Sequence, residues 1–257
     1  MERIRPYPSC GARRAQPTSG KRRLGRRGCR GHRTVPAGRY SDGVTKAELT
    51  RARILCAAEE VVLRDGVADL TLEAAAAEAG VSKGGVLYHF PSRDALVQAM
   101  VARLTASFEE QLVRAGAKPA GGGGPGDFTL AYLRATVAGP ADEQSQREER
   151  LGAALIAALA ADPVLLEPLR EDFARWQARC AADGIDPALA TLVRIVADGL
   201  WLTGLFRLGA VEGQLLEQVI GLCTELVERA SADREVAARP DGGTSRRPRR
   251  GGPAEGR

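Results

Sequence analysis

Residues 71–90 commit the chain to two short helices meeting at a sharp corner, and few packings accommodate that. Thr71 carries the side-chain oxygen wanted at a helix N-cap, and Leu72–Ala79 behind it are all strong helix formers. Gly80 ends the run at little cost, because glycine takes the left-handed conformation freely. Val81 can plug the angle between the helices and Ser82 can cap the next one. Beyond Ser82, Val86 and Phe90 share its face at helical spacing, while Lys83, Gly84, Leu87 and Tyr88 lie on adjoining faces. One side therefore packs inward. The other offers a cation, a stretch of bare backbone and a phenol, which suits docking against a phosphate strand and a base edge. The pattern is that of a helix-turn-helix.

Gly84 and Gly85 each cost roughly 1 kcal/mol relative to alanine inside a helix. Gly84 lies on the Lys83–Tyr88 side, where a missing side chain lets backbone approach phosphate closely; a short helix that tolerates a poor former is the alternative. Nothing in the sequence explains Gly85.

Around this corner the charge divides the chain into four parts. Residues 1–44 hold 12 Lys/Arg and 2 Asp/Glu, residues 45–103 hold 7 and 8, residues 104–230 hold 11 and 18, and residues 231–257 hold 7 and 4. The basic balance comes from the two ends and says nothing about the helix-turn-helix. Residues 1–44 are rich in Arg, Gly and Pro and lack apolar periodicity, so they are expected to be disordered: a basic arm that raises nonspecific DNA affinity, or a dispensable extension with translation beginning near Val44. Residues 231–257 read as a second unstructured tail. Between them, 45–103 is expected to be the domain that holds the helix-turn-helix and 104–230 a larger helical domain, which the resemblance described below makes a ligand-binding and dimerisation domain.

The helices follow from apolar stripes. Leu49, Ile54, Leu55, Ala58, Val61 and Val62 predict a first helix from Lys46 to Arg64. Ser92 caps a fourth whose stripe of Leu96, Met100, Leu104, Phe108 and Leu112 predicts one long helix leaving the DNA-binding domain. Segments at about Phe128–Ala138, Ser145–Ala160, Pro163–Ala182, Pro187–Leu208 and Glu212–Ala230 follow. With no convincing strand, the fold class is all-α. The longest uncharged apolar run, Leu151–Ala161, has 11 residues and is too short for a bilayer, so no membrane partner is expected. Five cysteines without CxxC spacing fit a reducing cytoplasm.

Most catalytic chemistry is excluded by inventory. His32 and His89 are the two histidines, so a histidine-based triad or metal cluster cannot form in the C-terminal part. Glu109-Glu110 and Glu148-Glu149 are adjacent carboxylates that point about 100° apart on a helix, and they read as solvated surface. Gly121-x-Gly123-x-x-Gly126 resembles a dinucleotide fingerprint, but no strand precedes it and a flexible loop is the better reading. No catalytic residue, metal site or cofactor is assigned, and the chain is not read as an enzyme.

The run from Thr71 to Leu96, within a match extending from about Lys46 to Leu104, resembles the TetR family of bacterial transcriptional regulators (TetR/AcrR type). The segments 175–179, 186–194 and 197–202 also look like one effector-domain subgroup of that family. The resemblance places Thr71, Ser82, Lys83, Gly84, Tyr88, His89 and Arg93 where relatives touch DNA, mainly its backbone. Leu87 and Gly85 depart from the commoner pattern, which leaves the bases read open. His89 is a core imidazole or a phosphate donor, and the resemblance favours the donor. Leu87 is a candidate for meeting a thymine methyl.

The resemblance implies a homodimer on a palindromic double-stranded operator, repressing until a small molecule enters the C-terminal domain. Apolar positions on the last two helices exceed what one packing face needs, which fits a four-helix dimer interface, with internal packing alone as the alternative. The aromatics Tyr132, Phe173, Trp176 and Trp201 are the expected effector-binding residues, with Phe128 and Phe206 nearby. Arg194 and Asp198 are the polar anchors, or else a surface i,i+4 pair or a dimer contact. A largely apolar effector with one or two polar anchors is the natural guess. The competing reading is a helical dimer that does not bind DNA and acts as an enzyme or interaction module.

Overall fold

The computed structural model describes residues 45–118, 122–138, 142–159 and 164–238. The 1–44 extension, Gly121, Pro163 and residues 239–257 lie outside these. Among the described residues there are nine α-helices, one 3-10 turn and no strand. They form two compact units. The first runs to Val101 and takes in Ala154–Leu165, and the second holds Ala102–Ala153 and everything from Leu166. Inclusion of 154–165 with the first unit is not apparent in the sequence.

In the first unit, α1 (Lys46–Asp65) opens on a capping box. Thr45 accepts from the Glu48 backbone and Glu48 answers at the Thr45 N–H, at 3.2 and 2.6 Å. A 3-10 turn at Val67–Asp69 leads to α2 (Leu72–Ala79), where Thr71 caps the Ala74 N–H at 3.0 Å. Gly80 closes α2 in the left-handed conformation, φ 64° and ψ 38°, so the corner depends on glycine there. Ser82 then caps α3 (Lys83–His89), and Ser92 caps α4 (Arg93–Arg114). Ile54, Ala58, Leu70, Ala75, Val86, Leu96 and Met100 are fully buried and fasten the three N-terminal helices to the start of α4.

The second unit contains the rest of α4, α5 (Asp127–Val137), most of α6 (Glu143–Leu159), α7 (Glu167–Ala181), α8 (Pro187–Leu205) and α9 (Gly213–Ala238). Its centre is α5, packed by α7, α8 and α9. The start of α5 is tied down from two places. Asp183 accepts from the Phe128 and Thr129 N–H groups at 3.1 and 2.7 Å, and its own carbonyl accepts from Gly126 at 2.8 Å. Ser231 Oγ donates to the Pro125 carbonyl at 2.6 Å. Gly126 sits at φ 81°, and a β-carbon there would lie 2.6 Å from both Ser231 and Val227. The described end of the glycine-rich segment is therefore a built corner, which corrects the expectation of a flexible loop.

A further expectation needs correction. The helix expected to end near Ala230 continues to Ala238, so an unstructured tail does not begin at Ser231. Val227 is fully buried, Ser231 is bonded to Pro125, and no helix breaker occurs before Pro240. Helix α8, 19 residues with two charges, is long and apolar enough to cross a bilayer by length and composition. Its two charges, Arg194 and Asp198, pair with each other at 2.6 Å.

Candidate nucleic-acid interface and effector interior

The outward side of the helix-turn-helix is built on two buried anchors. Val86 and Phe90 are 0 and 2% exposed, whereas Leu87 and Tyr88 between them are 41 and 80% exposed. Two large side chains, one apolar and one phenolic, thus stand in solvent because their neighbours are fixed in the core. Gly84 is also exposed, and a β-carbon there would meet only Ser82 Oγ, at 3.9 Å. Packing within the chain does not require glycine at that position. Thr71 and Ser82 are exposed caps, each accepting from a backbone N–H of its own helix. His89 is half-buried, its ring edge-on to Tyr88 at 4.9 Å between centroids.

Lys83 is exposed, and its ammonium lies 2.5 Å from the Glu73 carboxylate of α2. The hydrogen bond from Lys83 holds that carboxyl below its ordinary range. Glu73 was not singled out in the sequence; acid in the first turn of a helix usually answers only the dipole.

Arg93 differs from the others. Its guanidinium donates to the Leu70 carbonyl at 3.0 Å and to the Val67 carbonyl at 2.8 Å. Arg93 satisfies the backbone of the 3-10 turn ahead of α2, while 39% of its side-chain surface stays exposed.

In the second unit, Tyr132, Phe173 and Trp176 come together as expected, joined by Phe108 and Phe128. Trp176 is edge-on to Phe108 at 4.8 Å and to Phe173 at 5.1 Å, and Tyr132 is edge-on to Phe108 at 5.5 Å. Among the described residues this ring cluster does not extend to Trp201, which is half-buried near the end of α8. Its side chain is neither fully buried nor fully exposed.

Arg194 and Asp198 are not a plain surface pair. Tyr132 donates to Asp198 Oδ1 at 2.7 Å, Arg194 donates to Oδ2 at 2.6 Å and to Gln177 Oε1 at 2.5 Å, and Gln177 donates to Thr191 at 2.8 Å. Five polar side chains from α5, α7 and α8 form one network. Burial raises the Tyr132 phenol well above its usual value and also raises the Asp198 carboxyl, although Tyr132 and Arg194 pull the latter down. Burial likewise pushes the nearby Cys180 thiol up to about 12, which makes it inert as a nucleophile.

The adjacent glutamates are not simple solvated surface either. Glu109 accepts from Trp176 Nε1 at 2.5 Å and from Arg179 at 3.2 Å, and that guanidinium lies 3.9 Å above the Phe128 ring. Glu148 accepts from Ser107 at 2.7 Å. Glu109 follows Phe108 on the flank of the α4 stripe, the one local sign that it could reach inward.

Residues 54–100 match the family described as bacterial regulatory proteins, tetR family, and residues 126–228 match the tetracyclin repressor-like C-terminal domain. Together these cover more than half of the chain. It belongs to the TetR family of bacterial regulatory proteins. The N-terminal TetR match ends at Met100, one residue before Val101, where the first stretch of the first unit ends. The C-terminal match starts at Gly126, the corner gripped by Asp183.

Among curated TetR-like relatives, the HTH-type transcriptional regulator SrpR of Pseudomonas putida is 46% identical over 57 residues, 22% of this chain and 27% of that protein. The HTH-type transcriptional repressor BepR of Brucella suis is 40% identical over 73 residues, 28% of this chain and 35% of that protein. The chain thus covers about a third of the length of these relatives. Among solved structures, the multidrug binding protein EbrR complexed with malachite green is 28% identical with a TM-score of 0.52, covering 69% of this chain and 97% of that one.

Proposed function

We propose that this TetR regulator is a transcriptional repressor that grips a palindromic operator as a homodimer and releases it when a small molecule enters the second unit. The outward face of α3 carries this reading: a lysine, a bare glycine backbone, a leucine and a tyrosine all stand exposed over the buried Val86 and Phe90. Lys83, Gly84 and the caps would position the phosphate backbone, and Leu87 and Tyr88 would read base edges.

A single such unit grips DNA poorly, and a second half-site about 34–36 Å away, or a multiple of that, calls for a second copy. The apolar residues left in solvent support it. Leu192, Ile195 and Leu202 of α8 and Leu215, Leu222 and Leu226 of α9 are 36–59% exposed, surface that a partner's equivalent helices would cover. The same surface argues against reading α8 as a membrane span, since a dimer accounts for it without a bilayer.

The aromatic cluster with its Tyr132–Asp198–Arg194 network is the proposed effector site, and EbrR with its bound dye supplies the parallel. A ligand that favours a different separation of the two reading units releases the operator.

Gel-shift titration with DNA flanking the protein's own coding region tests this. Saturable binding with a two-fold-symmetric footprint is expected, and Ile195→Glu with Leu222→Glu should yield monomers in sedimentation and lose that footprint. Absence of binding to any duplex at low salt would favour the alternative helical module.

A further inference from the structure

We propose that Glu73 sets the DNA affinity of this face by holding the Lys83 ammonium away from phosphate, an inference that rests on the DNA-binding reading above. The two side chains meet at 2.5 Å between the first turns of α2 and α3, with 62 and 57% of their side-chain surface exposed. An ion pair so exposed does little for the fold. Its position is what matters. Lys83 is the one lysine or arginine in the sequence of α2 and α3, while α2 carries two acids, Glu73 and Glu78. Glu78 is paired with Arg64 of α1 at 2.8 Å. The helix-turn-helix thus presents one fixed cation, and a carboxylate already occupies it.

A phosphate that approaches Lys83 must displace Glu73 or sit beside it. Either way affinity falls by a similar factor for every DNA sequence, because phosphate contacts carry no base information. Leu87 and Tyr88, exposed on the same helix, are untouched by this exchange. Glu73 therefore sets the absolute affinity of this face and leaves the ratio between one DNA sequence and another unchanged. It acts as a positioning residue on Lys83.

The test uses the full chain as wild type, Glu73→Gln, Lys83→Ala and the double variant. Each is titrated over about 50–200 mM salt with the flanking DNA and with a scrambled duplex of equal composition. Glu73→Gln should bind both probes about three- to tenfold more tightly at the low end, with a salt dependence steeper by up to about one unit. That gain should vanish in the Lys83→Ala background. Thermal melts establish that each variant is folded, and Glu73→Ala, which keeps a good helix former, repeats the comparison if the glutamine variant melts early. Unchanged or weaker binding by Glu73→Gln, or a gain that survives loss of Lys83, overturns the proposal while leaving DNA binding standing. Failure of the wild type to bind either probe overturns the DNA-binding reading itself, and this inference with it.

Discussion

The Tyr132 phenol and the Arg194 guanidinium hold opposite oxygens of the Asp198 carboxylate, at 2.7 and 2.6 Å. Tyr132 and Asp198 are 66 positions apart in the chain, so one carboxylate ties α5 to α8 in the middle of the second unit. An entering molecule with a polar group would have to compete with this network or join it.

The pH dependence of stability should carry the signature of Asp198. Burial raises its carboxyl above the ordinary value. Below about pH 3.9, the unfolded value, the group is neutral in both states and the stability it contributes is complete. As pH climbs, the unfolded chain ionises first, and that contribution is lost through the folded value. Asp127 and Asp142 are shifted the opposite way, chiefly by the backbone N–H groups of Gly124 and Ser145, and lose their contribution as pH falls. Subtracting the melting profile of Asp198→Asn from that of the wild type over about pH 3.5–6 isolates the Asp198 slope. The variant should melt lower at neutral pH, where Arg194 lacks its partner, yet the gap should narrow as pH rises. A constant gap would mean that the carboxyl does not titrate in this window.

Gly84→Ala should move stability and DNA binding in opposite directions. The added methyl has only Ser82 Oγ within 4 Å, at 3.9 Å. Replacing a helical glycine then stabilises the fold by about 0.5–1 kcal/mol. The same methyl would stand between backbone and phosphate, and duplex affinity should fall at every sequence. Melting curves and gel-shift titrations on one sample check both signs. Undiminished affinity would make Gly84 a tolerated poor helix former.

Arg93→Ala removes two hydrogen bonds to the carbonyls of Val67 and Leu70. Loss of roughly 1–3 kcal/mol in urea unfolding is expected, since those carbonyls lose a charged donor. Lysine should not rescue it, because a single ammonium cannot reproduce the two-pronged geometry. The salt dependence of DNA binding should be unaltered. A flatter dependence would put the guanidinium on phosphate after all.

What could be read ahead of the structure was local. Thr71, Gly80, Ser82 and Ser92 act on backbone groups within three or four residues, so residue type and spacing suffice to place them. The same locality carried α4 as one long helix and set the buried Val86 and Phe90 against the exposed Leu87 and Tyr88. Partners distant in the chain were out of reach. Arg93 looks like any cation at the foot of a reading helix until the carbonyls 23 and 26 residues earlier are brought beside it. Trp176 meets Glu109 across 67 residues, and nothing near Glu109 distinguishes it from Glu110 except its place beside Phe108. For Trp201, being aromatic and near Asp198 on one helix does not decide which way a ring packs.

The grip of Asp183 and Ser231 on the start of α5 also sets a timetable for synthesis. α1, α2 and α3 make their contacts with one another within a few dozen residues and can fold as they leave the ribosome. At the start of α5 the Phe128 N–H finds its partner in Asp183, 55 residues later, and the Pro125 carbonyl finds Ser231, 106 residues later. Closing such long loops is slow, and the parts of α5 and α8 that pack on α9 stay uncovered until α9 has been made. A nascent chain halted inside α8 would therefore display a finished helix-turn-helix beside an unfinished, adhesive second unit. Chaperone demand should peak there, late in translation.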